Sequence, residues 1–285
     1  MIPTEEILAS VRQLPTLSAT TVRLWALVRD AGSSSADFER VIRPDLALTA
    51  NLLRVANSAY FGLRTRVESV RHAVTMLGLK RVTELAASAS LAPAIPRHIP
   101  GYEMDAAGFW LHSVAVAVLA EKLAVALGCG TPDMLFTAGL LHDVGKLAVA
   151  SYVARNEAPI RDRMRGGRPF VLAEREVLGH DHAEVGDAVA EAWNLPRPAR
   201  WAIRWHHRPS GADAGATLVA LVHAADALAH QLGFGADAWE LAREIDTGVE
   251  ERLGVRARRL EAVASDSLEA IREMGALFRA PGGAA

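Results

Sequence analysis

Apolar residues recur along most of the chain at three- and four-residue intervals, the spacing that gives a helix one buried face. Val22, Trp25, Leu27 and Val28 follow Ser18, a candidate N-cap, and run to Gly32. Leu48, Leu52, Leu53 and Val55 follow Asp45 and end near Asn57-Ser58. Val70, Val74 and Leu77 follow Ser69, with Gly78 as the stop. A cap with a short polar side chain before the apolar run, and glycine after it, is the expected punctuation of a helix. No stretch of four or more residues alternates as a strand between turn signals. The predicted fold class is all-α.

Three breaks interrupt the pattern. Pro93, Pro96 and Pro100 lie close together, and proline donates no backbone hydrogen bond. Gly166, Gly167 and Pro169 form the second break, and the stretch from Arg208 to Gly215 the third. The expected division is an N-terminal helical lobe over residues 1–92, a linker over 93–101, a second helical lobe over 102–279 and a frayed tail over 280–285.

Length and composition narrow the class. The chain has 285 residues, enough for a large core, and is 51% hydrophobic but only 6% aromatic. A net charge of −2 carries no global basic field, so neither nucleic acid nor a membrane surface is expected as a partner. The single cysteine, Cys129, rules out an internal disulfide and reads as a small buried or loop thiol. The first residues lack the basic and apolar regions of a signal peptide. The most apolar helix, around Val114 to Leu127, is interrupted by Glu121 and Lys122 short of the ~20 residues a membrane span requires. These readings point to a cytoplasmic protein.

Five of the ten histidines stand in an ordered series with aspartates: His112, His142-Asp143, His182, His206-His207 and Asp226. Imidazole and carboxylate together hold divalent iron, manganese or zinc. Seven such groups suffice for two ions sharing one bridging carboxylate, and two ions about 3.5–4 Å apart can activate water and hold a phosphate. Adjacent histidines on a helix diverge by ~100°, so His206 and His207 can share a metal only near a helix end. His180 competes with His182, and His223 lies one turn before Asp226, where it could support it.

The words around these residues carry a resemblance. Leu14-Pro15-Thr16-Leu17, then Leu52 to Gly62 with its Asn57-Ser58-Ala59 core, then Val70 to Gly78 are similar to the amino-terminal part of the HDOD family. Gly139-Leu140-Leu141-His142-Asp143-Val144-Gly145-Lys146 resembles the doublet motif of HD phosphohydrolases, to which HDOD domains are related. The resemblance implies an N-terminal helical bundle packed on an HD-type lobe. It also implies metal ligation by His112, His142, Asp143, His182, His206, His207 and Asp226, with Asp143 and Lys146 as candidate catalytic residues. The chain departs from the family by reading Arg43-Pro44-Asp45 where an Asp-Pro pair is usual. The related family that cleaves cyclic di-GMP carries a Gly-Tyr-Pro loop after its tandem histidines and a glutamate one turn before its first histidine. Here no Gly-Tyr-Pro occurs, and Gly108 stands at the second position.

In the first lobe Asn57 and Ser58 are read as groups that pin a turn, with ligand binding as the alternative. Arg54, Arg64, Arg66, Arg71, Lys80 and Arg81 concentrate positive charge, read first as a solvated face. The functional expectation is a bacterial HDOD-type signalling or regulatory protein that acts through protein partners and carries a metal site, with a nucleotide as candidate small ligand. The alternative is a metal-dependent phosphohydrolase acting on a nucleotide or phosphodiester.

Overall fold

The computed structural model describes residues 2–14, 19–30, 32–91, 95–132, 134–212, 215–235 and 244–277. The candidate cap Ser18 and the tail 280–285 lie outside these residues. Helices dominate, and the only strands among the described residues are two residues long, so the chain is all-α. It divides into two compact units, one of residues 1–15 with 95–268 and one of residues 16–94 with 269–285. The division is therefore not a single cut at the proline-rich segment. Helix α1 (Thr4–Gln13) groups with the histidine-bearing unit, where it packs on two later helices and buries Ile7 and Val11.

The smaller unit holds α2 (Ala19–Arg29), α3 (Ser35–Ile42), α4 (Leu46–Ala56) and α5 (Val70–Leu91). Asp45 caps α4 by accepting from the Leu48 amide at 2.9 Å, and the Ser69 hydroxyl caps α5 through the His72 amide at 3.1 Å. Gly78 does interrupt α5, with φ of 83°, but helix resumes and runs to Leu91. Leu24, Phe38, Ile42, Leu52, Val82 and Leu85 form a fully buried core. The Asn57 side chain pairs both ways with the Val67 backbone, donating to its carbonyl at 2.8 Å and accepting from its amide at 2.7 Å. Arg71 pairs with Glu39, and Arg81 with Glu84.

The larger unit begins with α1 and continues from residue 95. Residues 98–105 form a small hairpin, β1 (His98–Ile99) against β2 (Met104–Asp105). Gly101 turns it at φ of 81°, and a Cβ there would lie 2.5 Å from the Ala154 backbone nitrogen. Within the described part of the expected linker Ile99 and Gly101 are buried while Pro96, Arg97 and His98 are exposed, and the fully buried Tyr102 follows directly.

Then follow α6 (Ala106–Leu127), α7 (Leu135–Leu141), α8 (Gly145–Arg155), α9 (Glu157–Arg163), α10 (Phe170–Leu178), α11 (His182–Ala192), α12 (Arg197–Trp205), α13 (Ala216–Gln231) and α14 (Thr247–Leu253). Helix α15 (Ala257–Leu277) runs across the boundary between the units. Helices α6 and α13 are apolar on all sides and form the centre, against each other and α7. Asp105 caps α6 ahead of the apolar run, so α6 reaches 22 residues. It is long and apolar enough to span a membrane by length and composition, unlike the shorter segment read from sequence, but 72% of its most apolar window is buried in this fold.

Candidate metal centre

Five local structures deliver the histidine and aspartate series to one place. His112 lies on central helix α6, and Asp226 on α13 beside it. His142 and Asp143 occupy the tight turn between α7 and α8. His182 opens α11, whose N-cap Asp181 accepts from the Glu184 amide at 2.8 Å. His206 and His207 follow the last residue of α12, so the divergence of adjacent helical side chains no longer constrains them. Glycine permits the closest approach: a Cβ on Gly145 would overlap the His182 backbone oxygen and lie 2.5 Å from the Gly186 nitrogen. The start of α8 can therefore lie backbone to backbone against α11, which brings Asp143 to His182.

The seven residues form two groups. His112, His142 and Asp226 make one, and Asp143, His182, His206 and His207 the other, each with its donor atoms within 4.8 Å of one another. Asp143 spans both. Its Oδ2 lies 3.5 Å from His112 Nε2 and 3.3 Å from His142 Nε2, while its Oδ1 lies 3.4 Å from His182 Nε2 and 3.6 Å from His206 Nε2. Asp226 Oδ1 is 3.3 Å from His112 Nε2 and 3.7 Å from that of His142.

Four rings are held the same way. Nδ1 of His112 faces the Phe234 carbonyl at 3.1 Å, that of His142 the Gly139 carbonyl at 2.7 Å, and that of His206 the Ile203 carbonyl at 2.8 Å. Nδ1 of His182 faces Glu174 Oε2 at 2.7 Å. Each oxygen requires Nδ1 to carry the proton, which leaves the Nε2 lone pair for the centre in the neutral ring. His112 and His142 Nε2 then approach to 3.2 Å, and His182 and His207 Nε2 to 2.7 Å. The two lone pairs of His112 and His142, facing one another so closely, call for a cation between or beside them. Asp143 Oδ1 and His206 Nε2 are buried with no hydrogen-bond partner. This donor set fits a pair of divalent ions, and imidazole with carboxylate suits iron, manganese or zinc.

The electrostatics agree with that fit. Burial lowers the His142 pKa, against the pull of Asp143, and lowers that of His206 still further, so both rings are neutral near pH 7. Burial works against ionisation of Asp143, but the His142 ring and the Lys146 ammonium hold its carboxyl well below the usual carboxylate range. His182 is opposite in sign. Burial disfavours its charge, yet the Glu174 and Asp143 carboxylates outweigh that and push it up to about 10. Without metal, that proton sits in the short contact with His207.

Around the ligands lies a further layer, in which Glu174, Tyr102 and His230 went unread in the sequence. Glu174 accepts from both the backbone amide of His182, at 2.9 Å, and its ring Nδ1, and it also takes the Tyr102 hydroxyl. Lys146 is buried, with Nζ 2.8 Å from Asp143 Oδ2 and 5.3 Å from the centre of the Tyr102 ring. Its place suits it to fix and neutralise the shared carboxylate. His230, one turn after Asp226, lies 3.5 Å from Asp226 Oδ1 and stacks near His112. The Asp226-to-His230 spacing was a usable signal, whereas nothing local marks Glu174 among the charges of α10. His180 pairs with Glu184 at 3.7 Å, outside both ligand groups. His223 braces the His206 carbonyl through Nδ1 at 2.6 Å and accepts the Asp246 amide at Nε2, so its support reaches the centre through His206.

The HDOD domain family matches residues 14–209. An uncharacterized protein of Treponema pallidum is 26% identical over 211 residues, 69% of this chain and 38% of that protein, so the chain spans well under half of that relative. Ribonuclease Y of Thermus thermophilus is 36% identical over 118 residues, 41% of this chain and 15% of that one. A solved structure from Shewanella amazonensis, provisionally named a phosphohydrolase, superposes with a TM-score of 0.75 at 26% identity, covering 96% of this chain and 98% of its own. An HDOD domain protein of unknown function from Geobacter sulfurreducens shares the fold at a TM-score of 0.73 and 24% identity, covering 97% and 98%.

Proposed function

The chain belongs to the HDOD domain family, and we propose, from the geometry of its candidate metal centre, that its histidine-bearing unit is a divalent-metal-dependent phosphohydrolase acting on a nucleotide or phosphodiester. The observation that carries this reading is the common orientation of His112, His142, His182 and His206. All four anchor Nδ1 on an oxygen and turn Nε2 toward the two oxygens of Asp143. A scaffold that had abandoned metal chemistry gains nothing by burying so many basic nitrogens face to face.

His112, His142 and Asp226 would hold one ion, and His182, His206 and His207 the other, with Asp143 shared. A bound pair of divalent ions polarises a phosphoryl oxygen and lowers the pKa of water. The chain's own residues do the rest. Asp143, whose two oxygens face the two ligand groups, would offset positive charge at both, and Lys146 fixes its orientation. Glu174 holds the His182 ring and draws off its Nδ1 proton density, which makes Nε2 a stronger donor. The names of the Shewanella and Thermus relatives support phosphoester chemistry as the reaction class.

The second reading is the regulator that acts through protein partners. What favours it is the separate compact unit of residues 16–94 with 269–285, whose surface carries a cleft of about 920 Å³ lined by Arg54, Asn57, Ser58, Arg66, Glu68 and Glu273 among others. The test is elemental analysis of purified protein, then turnover of a nucleotide panel and a chromogenic phosphodiester with added manganese or iron. Metal-dependent turnover lost in the His142→Ala/Asp143→Ala variant supports the hydrolase. Bound metal with no turnover of any member would favour the regulator.

A further inference from the structure

Beside the metal centre, three guanidinium groups share two carboxylates. Glu184 Oε1 lies 2.8 Å from Arg175 Nη2, 3.2 Å from Arg204 Nη2 and 3.9 Å from Arg208 Nη2. Asp181 Oδ2 lies 3.5 Å from Arg175 Nη1 and 3.6 Å from Arg208 Nη2. The carboxylate side chains are 3% and 9% exposed, while those of the three arginines are 38%, 32% and 36% exposed. The acids therefore lie beneath and the cations above, with one positive charge in excess. Arg204 and Arg208 both rest against the Trp205 ring, at 5.4 and 5.6 Å from its centre. A ring wedged by two guanidiniums and closed off by Gly211 fixes where those cations stand.

The cluster is under-satisfied. A guanidinium has five N–H donors. Arg208 reaches its carboxylates only at distances beyond a hydrogen bond and donates none among the described residues. Arg175 Nη1 is buried with no hydrogen-bond acceptor. Like charges held together with donors to spare suit an anion with several oxygens, above all phosphate.

Its place is set by the chain. Asp181 directly precedes His182, and Arg208 directly follows His207, the two residues whose Nε2 atoms meet at 2.7 Å. Of the seven candidate ligands, His207 alone is partly exposed, the other six being buried. Solvent, and hence substrate, reaches the centre on the His207 side, where Arg208 stands.

We propose that Arg175, Arg204 and Arg208 form a metal-independent phosphate-binding site at the mouth of the centre, which holds a phosphate other than the one that reacts. The substrate is then a nucleotide carrying at least two phosphate groups, either a nucleoside polyphosphate or a short oligonucleotide. The assignment of the second phosphate as non-reacting rests on the hydrolase reading above, but the binding site itself does not.

The experiment is calorimetric titration of metal-free protein with inorganic pyrophosphate, ADP and a 5′-phosphorylated dinucleotide. Wild type should bind pyrophosphate at one site per chain, with affinity falling as salt rises. Arg204→Gln/Arg208→Gln should weaken binding about tenfold or more, the loss of charge-assisted hydrogen bonds to phosphate, while bound manganese stays at the wild-type level. Should the double variant fail to fold, Arg208→Gln alone serves, and Arg208→Lys should recover part of the affinity. Tighter binding of ADP than of the dinucleotide assigns the polyphosphate class, and the reverse order the oligonucleotide. No pyrophosphate binding by metal-free wild type, or equal affinity in wild type and variants, overturns the proposal. Arginine-dependent binding without turnover would sink the hydrolase reading and leave this site standing. Turnover with arginine-independent binding would do the opposite.

Discussion

Glu174 grips His182 twice, accepting the backbone amide at 2.9 Å and the ring Nδ1 at 2.7 Å through one carboxylate oxygen. Both residues are fully buried, so neither contact competes with water. Glu174→Ala should weaken metal binding by roughly 10–100-fold, as loss of the group behind a histidine ligand commonly does. It should also cost on the order of 1–3 kcal/mol of stability, because a buried amide loses its acceptor. Metal competition titrations and thermal melts check both. Unchanged metal affinity would remove Glu174 from the site.

Replacing His142 and Asp143 together by alanine should strip most bound metal while helical content stays near wild type. Asp143 is the one residue whose oxygens face both ligand groups, so its loss should empty both positions. Elemental analysis with circular dichroism reads this. Wild-type metal stoichiometry in the double variant would refute the ligand assignment.

Metal binding should tighten as pH rises from 7 to 10. His182 is protonated in the metal-free fold up to about 10, and that proton must leave before Nε2 can bind a metal. Up to about tenfold per pH unit is expected from this group alone. The same shift fixes a stability trend. A raised folded-state pKa contributes stability that is complete below the unfolded value near 6.5 and is lost as pH climbs through about 10. The depressed values of His142 and His206 act at the other end, removing stability as pH falls below about 6.5. Metal-free protein should therefore melt at lower temperature at pH 10 than at pH 7, and also at lower temperature at pH 5 than at pH 7. A metal-free melting temperature that is flat over this range would contradict the charge state assigned to His182.

Gly145→Ala tests the backbone contact that brings α8 to α11. Its Cβ would overlap the His182 carbonyl, and no side-chain rotation relieves a clash with backbone. Loss of about 1–3 kcal/mol or more is expected, together with weaker metal binding, since His182 must shift. A variant that keeps both wild-type melting temperature and metal affinity would show that the helices can separate without disturbing the centre.

Cyclic di-GMP hydrolysis should be undetectable even in metal-loaded protein. The stretch from His207 to Asp226 has no room for a Gly-Tyr-Pro loop, and Gly108 offers no carboxylate one turn before His112. Without that loop nothing evident positions the dinucleotide, and positioning supplies much of the rate in phosphoryl chemistry. Turnover that disappears in the His142/Asp143 double variant would overturn this expectation.

The sequence by itself determined the all-α class and the caps at Asp45 and Ser69, and its motifs, through the family resemblance, singled out the seven residues that the fold brings together. These depend on local propensity and on residue chemistry, both of which are written in short stretches of chain. Only the tertiary structure decided what lies around them. Helix α1 joins the histidine-bearing unit because the partners of its apolar face, α8 and α11, come more than a hundred residues later. The end of the proline-rich segment enters a small hairpin because Ile99 and Tyr102 find a buried place that no periodicity announces. Glu174 looks like any surface glutamate until α10 is laid beside the start of α11. Its role, like that of the three arginines sharing Asp181 and Glu184, arises from side chains on separate helices meeting in space, a relation that spacing along one helix cannot encode.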